Sequence, residues 1–232
     1  VIFILATTEL HKVPETIISR CQVFTFKKAS DSVSRKMAIE VAKKEGFELD
    51  AGSAELLAIL ADGSFRDLLG ELQKVLNFYG DKDNKSKTPP RLGEAGKKIK
   101  REDVEKLTGV PKSALVDSIL SALAENNLEQ GIGAVEKAAE ANLDMKLFLK
   151  LIIQKFRMAI ILRYAPKMQD EMAGNLSAGD LEFLKKLVGK DEKGMLRSGG
   201  LAVLLEAYQN MDNAFVAELP LELALIKILE PE

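Results

Sequence analysis

The spacing of hydrophobic positions changes character near residue 29. Ahead of it, Val1–Leu5 is an unbroken apolar run and Gln22–Phe26 (QVFTF) is a second short strand pattern, with a helical stretch from Pro14 (PETIISR) between them. An apolar run without polar alternation predicts a strand covered on both faces, and such a strand needs neighbours to complete its hydrogen-bond ladder. Two short strands cannot supply that cover, so the pattern predicts that the rest of the sheet lies upstream of Val1.

From Ser30 onward the spacing is helical. Ser30 or Asp31 is placed to cap a helix running to about Glu45, ahead of Gly46, with Val33, Met37 and Val41 as its predicted apolar stripe. A short helix is expected at Ala54–Ala61 and, after Gly63–Ser64, a longer one from Phe65 to about Tyr79. Phe65, Leu69, Leu72 and Leu76 face one way there, with Leu68 and Val75 widening the stripe. The pattern breaks over Asp81–Arg101, where eight lysines and arginines stand against three acids around Pro89–Pro90. This reads first as a solvated surface insert and second as a nucleic-acid contact, since the stretch is basic but lacks the interleaved aromatics of a nucleic-acid surface. A short helix at Arg101–Thr108 is ended by Gly109, Val110 and Pro111.

The remaining helices are predicted at Lys112–Glu125, Leu128–Ala141, Met145–Tyr164, Ser177–Leu187, Leu196–Ala217 and Leu221–Leu229, joined by short loops as antiparallel neighbours require. Met145–Tyr164 is the most hydrophobic, with Leu147, Leu151, Phe156, Ile160 and Ile161, and belongs either at the centre of the bundle or in a subunit contact. Pro166 sets its stop. The final LELALIKIL is apolar nearly all round, more than one packing face uses, so core packing and an oligomer interface both stand as readings.

Composition narrows the functional classes. The chain is 47% hydrophobic and 29% charged, which is ordinary for a folded domain. One cysteine and one histidine exclude a disulfide framework and a cysteine/histidine zinc site. A net charge of −2 gives no global footprint for nucleic acid. The six apolar residues at the start are too short for a signal or a membrane span, and no later stretch reaches membrane length, so the cytoplasm is the expected compartment. No phosphate-loop, nucleophile-elbow, zincin or Cys-x-x-Cys motif occurs. His11 reads as a surface residue and Cys21 as a small buried thiol at the junction into the second strand.

Two arginines stand apart. Arg20 closes a short rigid helix that can aim a guanidinium outward. Arg66 sits in the first turn of its helix, where the helix dipole disfavours a cation. That placement suits either a phosphate ligand or a local pair with Asp67.

VIFILATTELHKVPETIISRCQVFTF and ADGSFRDLLGELQKVL together resemble the bacterial DNA polymerase III gamma/tau subunit, the AAA+ ATPase of the replicative clamp loader. The resemblance implies that Thr8 is sensor 1, after the Ala-Thr-Thr strand. It makes Arg20 of the Ser19-Arg20-Cys21 motif an arginine finger reaching a neighbouring subunit's ATP site. Arg66 of the Gly63–Asp67 motif becomes sensor 2, on the phosphates of its own subunit. It further implies a mainly α chain in three parts: the edge of an AAA+ α/β core over 1–28, a helical lid over 29–110 carrying the basic insert 81–101, and an all-α collar for oligomerisation over 111–232.

The implied function is to load a sliding clamp onto primed DNA. ATP and magnesium are the implied cofactors of the intact parent; other clamp-loader subunits, the clamp and primer-template DNA are the implied partners. Walker A and Walker B residues are absent from these 232 residues, so the segment alone is expected to lack ATPase activity and bound nucleotide. Two departures from the family pattern are LLGELQKVL after Asp67, where a helix richer in alanine and serine is usual, and the length of the basic insert. Two other readings remain: a non-enzymatic helical interaction module, and a clamp-loader subunit without ATPase activity. The latter has little use for Arg66.

Overall fold

The computed structural model describes residues 2–81, 97–168, 176 and 178–229. The fold is mainly helical, as expected. Its first group comprises α1 (Glu15–Ile18), α2 (Asp31–Lys44), α3 (Ala51–Ala61), α4 (Phe65–Asp81) and α5 (Arg101–Thr108), with β1 (Phe47–Leu49) and β2 (Lys97–Ile99) paired in parallel. The second is α6 (Ser113–Glu125), α7 (Leu128–Glu140), α8 (Met145–Tyr164), α9 (Ala178–Lys190), α10 (Ser198–Asn210) and α11 (Leu219–Leu229).

Local chemistry explains most boundaries. The Asp50 carboxylate accepts the Ser53 amide at 2.7 Å, which starts α3 three residues earlier than its apolar pattern suggests. Asn127 and Asp144 cap α7 and α8 in the same way. Gly109 takes a left-handed conformation to end α5. Ala165 leaves the helical region ahead of Pro166 and closes α8.

Several expectations are corrected. In α2 the buried row is Ser34, Ala38 and Ala42, while Val33 is exposed and Met37 and Val41 are half-buried. Small side chains let α2 and α3 approach closely, and the larger residues flank that contact. In α4 the buried face is Leu68, Leu72, Val75 and Leu76, with Phe65 exposed and Leu69 half-buried. α10 stops at Asn210 rather than Ala217, because Asn210, Asp212 and Asn213 are poor helix formers that compete for backbone hydrogen bonds. The basic stretch lies outside the described residues from 82 to 96. Its end, expected as loop, forms β2, where Ile99 O accepts both the Asp50 amide and Ser53 Oγ at 3.2 Å.

The expected strands at Val1–Leu5 and Gln22–Phe26 are not formed among the described residues. Ile2–Leu5, Val23, Phe24 and Phe26 are exposed, and no strand among the described residues completes their ladders. Cys21 is exposed too, contrary to the buried thiol expected, since no described residue covers that junction.

The most hydrophobic helix is central: Phe148, Leu149, Ile152 and Phe156 of α8 are fully buried. α11 buries Leu221, Ala224, Leu225, Ile228 and Leu229 and leaves Leu219 and Leu223 exposed. Between α9 and α10, the buried Asp191 carboxylate accepts the Met195 and Leu196 amides at 2.7 and 2.9 Å and pairs with Arg163.

The two helical groups are joined through buried charge. Arg101, which opens α5, reaches Glu55 of α3 at 3.4 Å, Glu105 at 3.2 Å and Asp180 of α9 at 3.6 Å. Lys155 of α8 lies 2.6 Å from both Asp180 and Asp117 of α6. Glu105 also accepts the Ser113 amide at 3.2 Å, which fixes the start of α6. Four carboxylates thus face two cations, with Arg35 a further positive influence on Glu55. Burial pushes the Glu55 and Asp117 carboxyls above their ordinary values of 4.5 and 3.8, with Arg101 and Lys155 respectively opposing it.

A carboxyl raised by folding contributes most below its unfolded value and loses that contribution as pH rises. Replacing Lys155 by Met removes the cation between Asp117 and Asp180. At pH 7 this variant should lose about 3–5 kcal/mol of unfolding free energy. The loss should shrink toward pH 4.5, where the raised Asp117 carboxyl takes up protons, as urea denaturation across this range would record.

Candidate functional site

The three residues singled out by sequence occupy two exposed regions. α3 ends in a reversal in which Asp62 and Gly63 both take positive φ, at 46° and 79°. Ser64 then opens α4: its carbonyl accepts the Leu68 amide at 3.0 Å and its hydroxyl the Asp67 amide at 3.3 Å. This turn places Arg66 in the first exposed turn of α4. Arg66 has no hydrogen bond or ion pair to any described residue, so the local pair with Asp67 is not formed.

Arg20 follows α1. Its guanidinium Nη1 donates to Thr16 O at 2.5 Å, which orients the side chain along α1 and leaves it exposed. Thr8 is exposed on a bend, beside Thr7, whose hydroxyl accepts the Glu9 amide at 3.0 Å. No hydrogen bond or ion pair among the described residues joins Thr8, Arg20 and Arg66. His11 is exposed, in line with the surface reading.

What sequence reasoning missed is a clasp around the turn ahead of Arg66. Lys28 Nζ lies 2.6 Å from Asp62 Oδ2, and Lys150 Nζ of α8 lies 2.8 Å from Asp62 Oδ1. Lys150 also donates to Ile59 O at 3.1 Å, meeting an otherwise open carbonyl at the C-terminus of α3. The Ala29 amide donates to Gly63 O at 3.1 Å. Lys150 and then Lys28 hold the Asp62 carboxyl down to about 2. The Asp62–Gly63 pair is a legible helix stop, but no local pattern points to lysines 34 positions before and 88 after it.

Among the described residues, no cluster of three or more His, Cys, Asp or Glu is arranged to hold a metal ion. No helix there is long and apolar enough to cross a membrane.

No protein-family model matches the chain. Among curated proteins it is 29% identical over 168 residues to DNA polymerase III subunit tau of Bacillus subtilis, covering 72% of this chain and 27% of that protein. It is 32% identical over 150 residues to DNA polymerase III subunit gamma/tau of Mycoplasma pneumoniae, covering 65% and 20%. It is also 31% identical over 205 residues to Protein STICHEL of Arabidopsis thaliana, covering 83% and 15%. The chain therefore spans about a quarter or less of the length of these relatives. The solved Bacillus subtilis DNA clamp loader delta protein (YqeN) aligns over 89% of this chain and 58% of its own, at 19% identity and a TM-score of 0.43, a likeness too loose to bear on assignment.

The turn has no room for a side chain at position 63. A Cβ there would stand 2.9 Å from Lys28 Cβ and 3.0 Å from Ala29 O, at a positive φ. Gly63→Ala should lower stability by more than ~1 kcal/mol. Urea denaturation should show a lower midpoint at unchanged slope.

Proposed function

We propose that this chain, a relative of the DNA polymerase III gamma/tau subunits across about two thirds of its length, is part of a clamp-loader ATPase subunit. In this reading residues 1–28 border the ATPase core, 29–110 form the lid and 111–232 the collar. The observation that carries it is the Gly63–Asp67 turn, which presents Arg66, unpaired among the described residues, at the start of α4, in the same chain as an exposed Arg20 held at the end of a short helix.

The fit to a nucleotide is one of charge. Both guanidiniums are exposed, and among the described residues no carboxylate pairs with Arg66. ATP with magnesium would supply the phosphoryl group and the leaving group. Arg20 supplies positive charge in trans, where negative charge develops on a neighbouring subunit's nucleotide. Arg66 meets the phosphates held by its own subunit and ties lid angle to nucleotide state. Thr8 offers a hydroxyl to the terminal phosphate or the attacking water. The partners are other clamp-loader subunits in a ring, the sliding clamp and primer-template DNA, in the cytoplasm.

The match to Protein STICHEL, whose name carries no polymerase, keeps a second reading beside this one: a non-enzymatic helical interaction module. The two readings part on catalysis. The complete gene product assembled with its partner subunits should show DNA-stimulated ATP hydrolysis, and Arg20→Ala should lower turnover by about a thousandfold or more. Unchanged turnover would remove the finger assignment, and absence of hydrolysis in the assembled wild type would favour the interaction module.

A further inference from the structure

Asp62 sits where three parts of the chain meet. It follows the last residue of α3, four positions ahead of Arg66. Its two carboxylate oxygens are shared between Lys28, eight positions after Arg20, and Lys150 of α8. The same turn is held by the Ala29 amide on Gly63 O, and the same Lys150 ammonium holds the Ile59 carbonyl. Gly63 packs against Lys28 and Ala29 too closely to admit a methyl group.

We infer that Asp62 is a positioning residue, joining the segment that carries Arg20, the turn that aims Arg66, and the second helical group through Lys28 and Lys150. The inference rests on the reading of Arg20 and Arg66 given above. A rotation of α4 relative to the 1–28 segment must stretch the Lys28–Asp62 contact, and a shift of α8 must stretch the Lys150 contact. The joint therefore transmits movement between these parts without touching a nucleotide. Its charge is firmly held: the neighbouring lysines keep Asp62 ionised well below neutral pH. The pairing with Lys28 is solvent-exposed on both sides, so its effect belongs to the modest range of exposed pairs.

Two substitutions isolate the joint. Asp62→Asn removes the charge yet keeps a residue that tolerates positive φ. Lys28→Met removes the facing charge at a surface position, and Lys28→Arg retains it. In the complete gene product assembled with its partner subunits, Asp62→Asn and Lys28→Met should each lower kcat of DNA-stimulated ATP hydrolysis about two- to fivefold. The thermal midpoint should stay within a few degrees of wild type, and Lys28→Arg should keep most of the turnover.

Full turnover in Asp62→Asn and Lys28→Met would overturn the joint. So would equal losses in Lys28→Arg and Lys28→Met, or losses that only track the folded fraction. Arg20→Ala run alongside separates the two claims. If Arg20→Ala loses turnover and Asp62→Asn does not, the joint falls alone. If the wild-type complex shows no DNA-stimulated hydrolysis, the function and the joint fall together.

Discussion

The arrangement of the helices depends on the buried contact between Lys155 and Asp180 and on Arg101 beside them. Charges removed from water must be met by partners at short range, and each unmet group is expensive. Here α3, α5, α6, α8 and α9 each place a charged side chain in the same seam. The apolar core alone allows neighbouring helices to slide, since hydrophobic burial has no direction. The ionic seam does have direction. Arg101 must face both Glu55 and Asp180, and Lys155 must face both Asp117 and Asp180, so the angle between the two helical groups is narrowly set. The excess of carboxylates makes the seam a poor source of net stability at neutral pH, and its value lies in orientation.

α3 links this seam to the exposed arginine. Glu55 in its middle is bound into the ionic network, and Asp62 just past its C-terminal end is clasped by Lys28 and Lys150. A helix is stiff over the two turns that separate them, so displacement at one appears at the other. The turn that presents Arg66 is thereby tied to the second helical group twice, once through buried charge and once through Lys150 at the surface. A site intended to respond to phosphate needs such a tie if the response is to reach the rest of the chain.

Much of this was legible in the sequence because helices carry their own signals. The 3.6-residue spacing, glycine stops and polar caps located most of the helices, and Arg66 was correctly placed in a first turn. What failed to show depends on distant partners. β1 and β2 are three residues each and pair across some fifty positions, too short for alternation to register. Ser34, Ala38 and Ala42 form the buried face of α2, although Val33, Met37 and Val41 make the more hydrophobic stripe. Glu55, Asp117 and Asp180 have no spacing in the sequence that marks them, because only the fold brings them to Arg101 and Lys155. Lys28 and Lys150 look like any other lysines until Asp62 stands between them. Cys21 and the two strand patterns at the front failed for a related reason: a hydrophobic sequence does not bury itself unless something is present to cover it.

The central claim is that Arg20 and Arg66 serve phosphates in two different subunits. A structure of the assembled complex of the complete gene product, bound to primed DNA, magnesium and a non-hydrolysable ATP analogue, tests it most directly. The account predicts the Arg20 guanidinium within hydrogen-bond reach of the terminal phosphate on a neighbouring subunit, with Arg66 on the phosphates of its own. Both guanidiniums left in solvent, or turned to protein carboxylates away from any nucleotide, would contradict it.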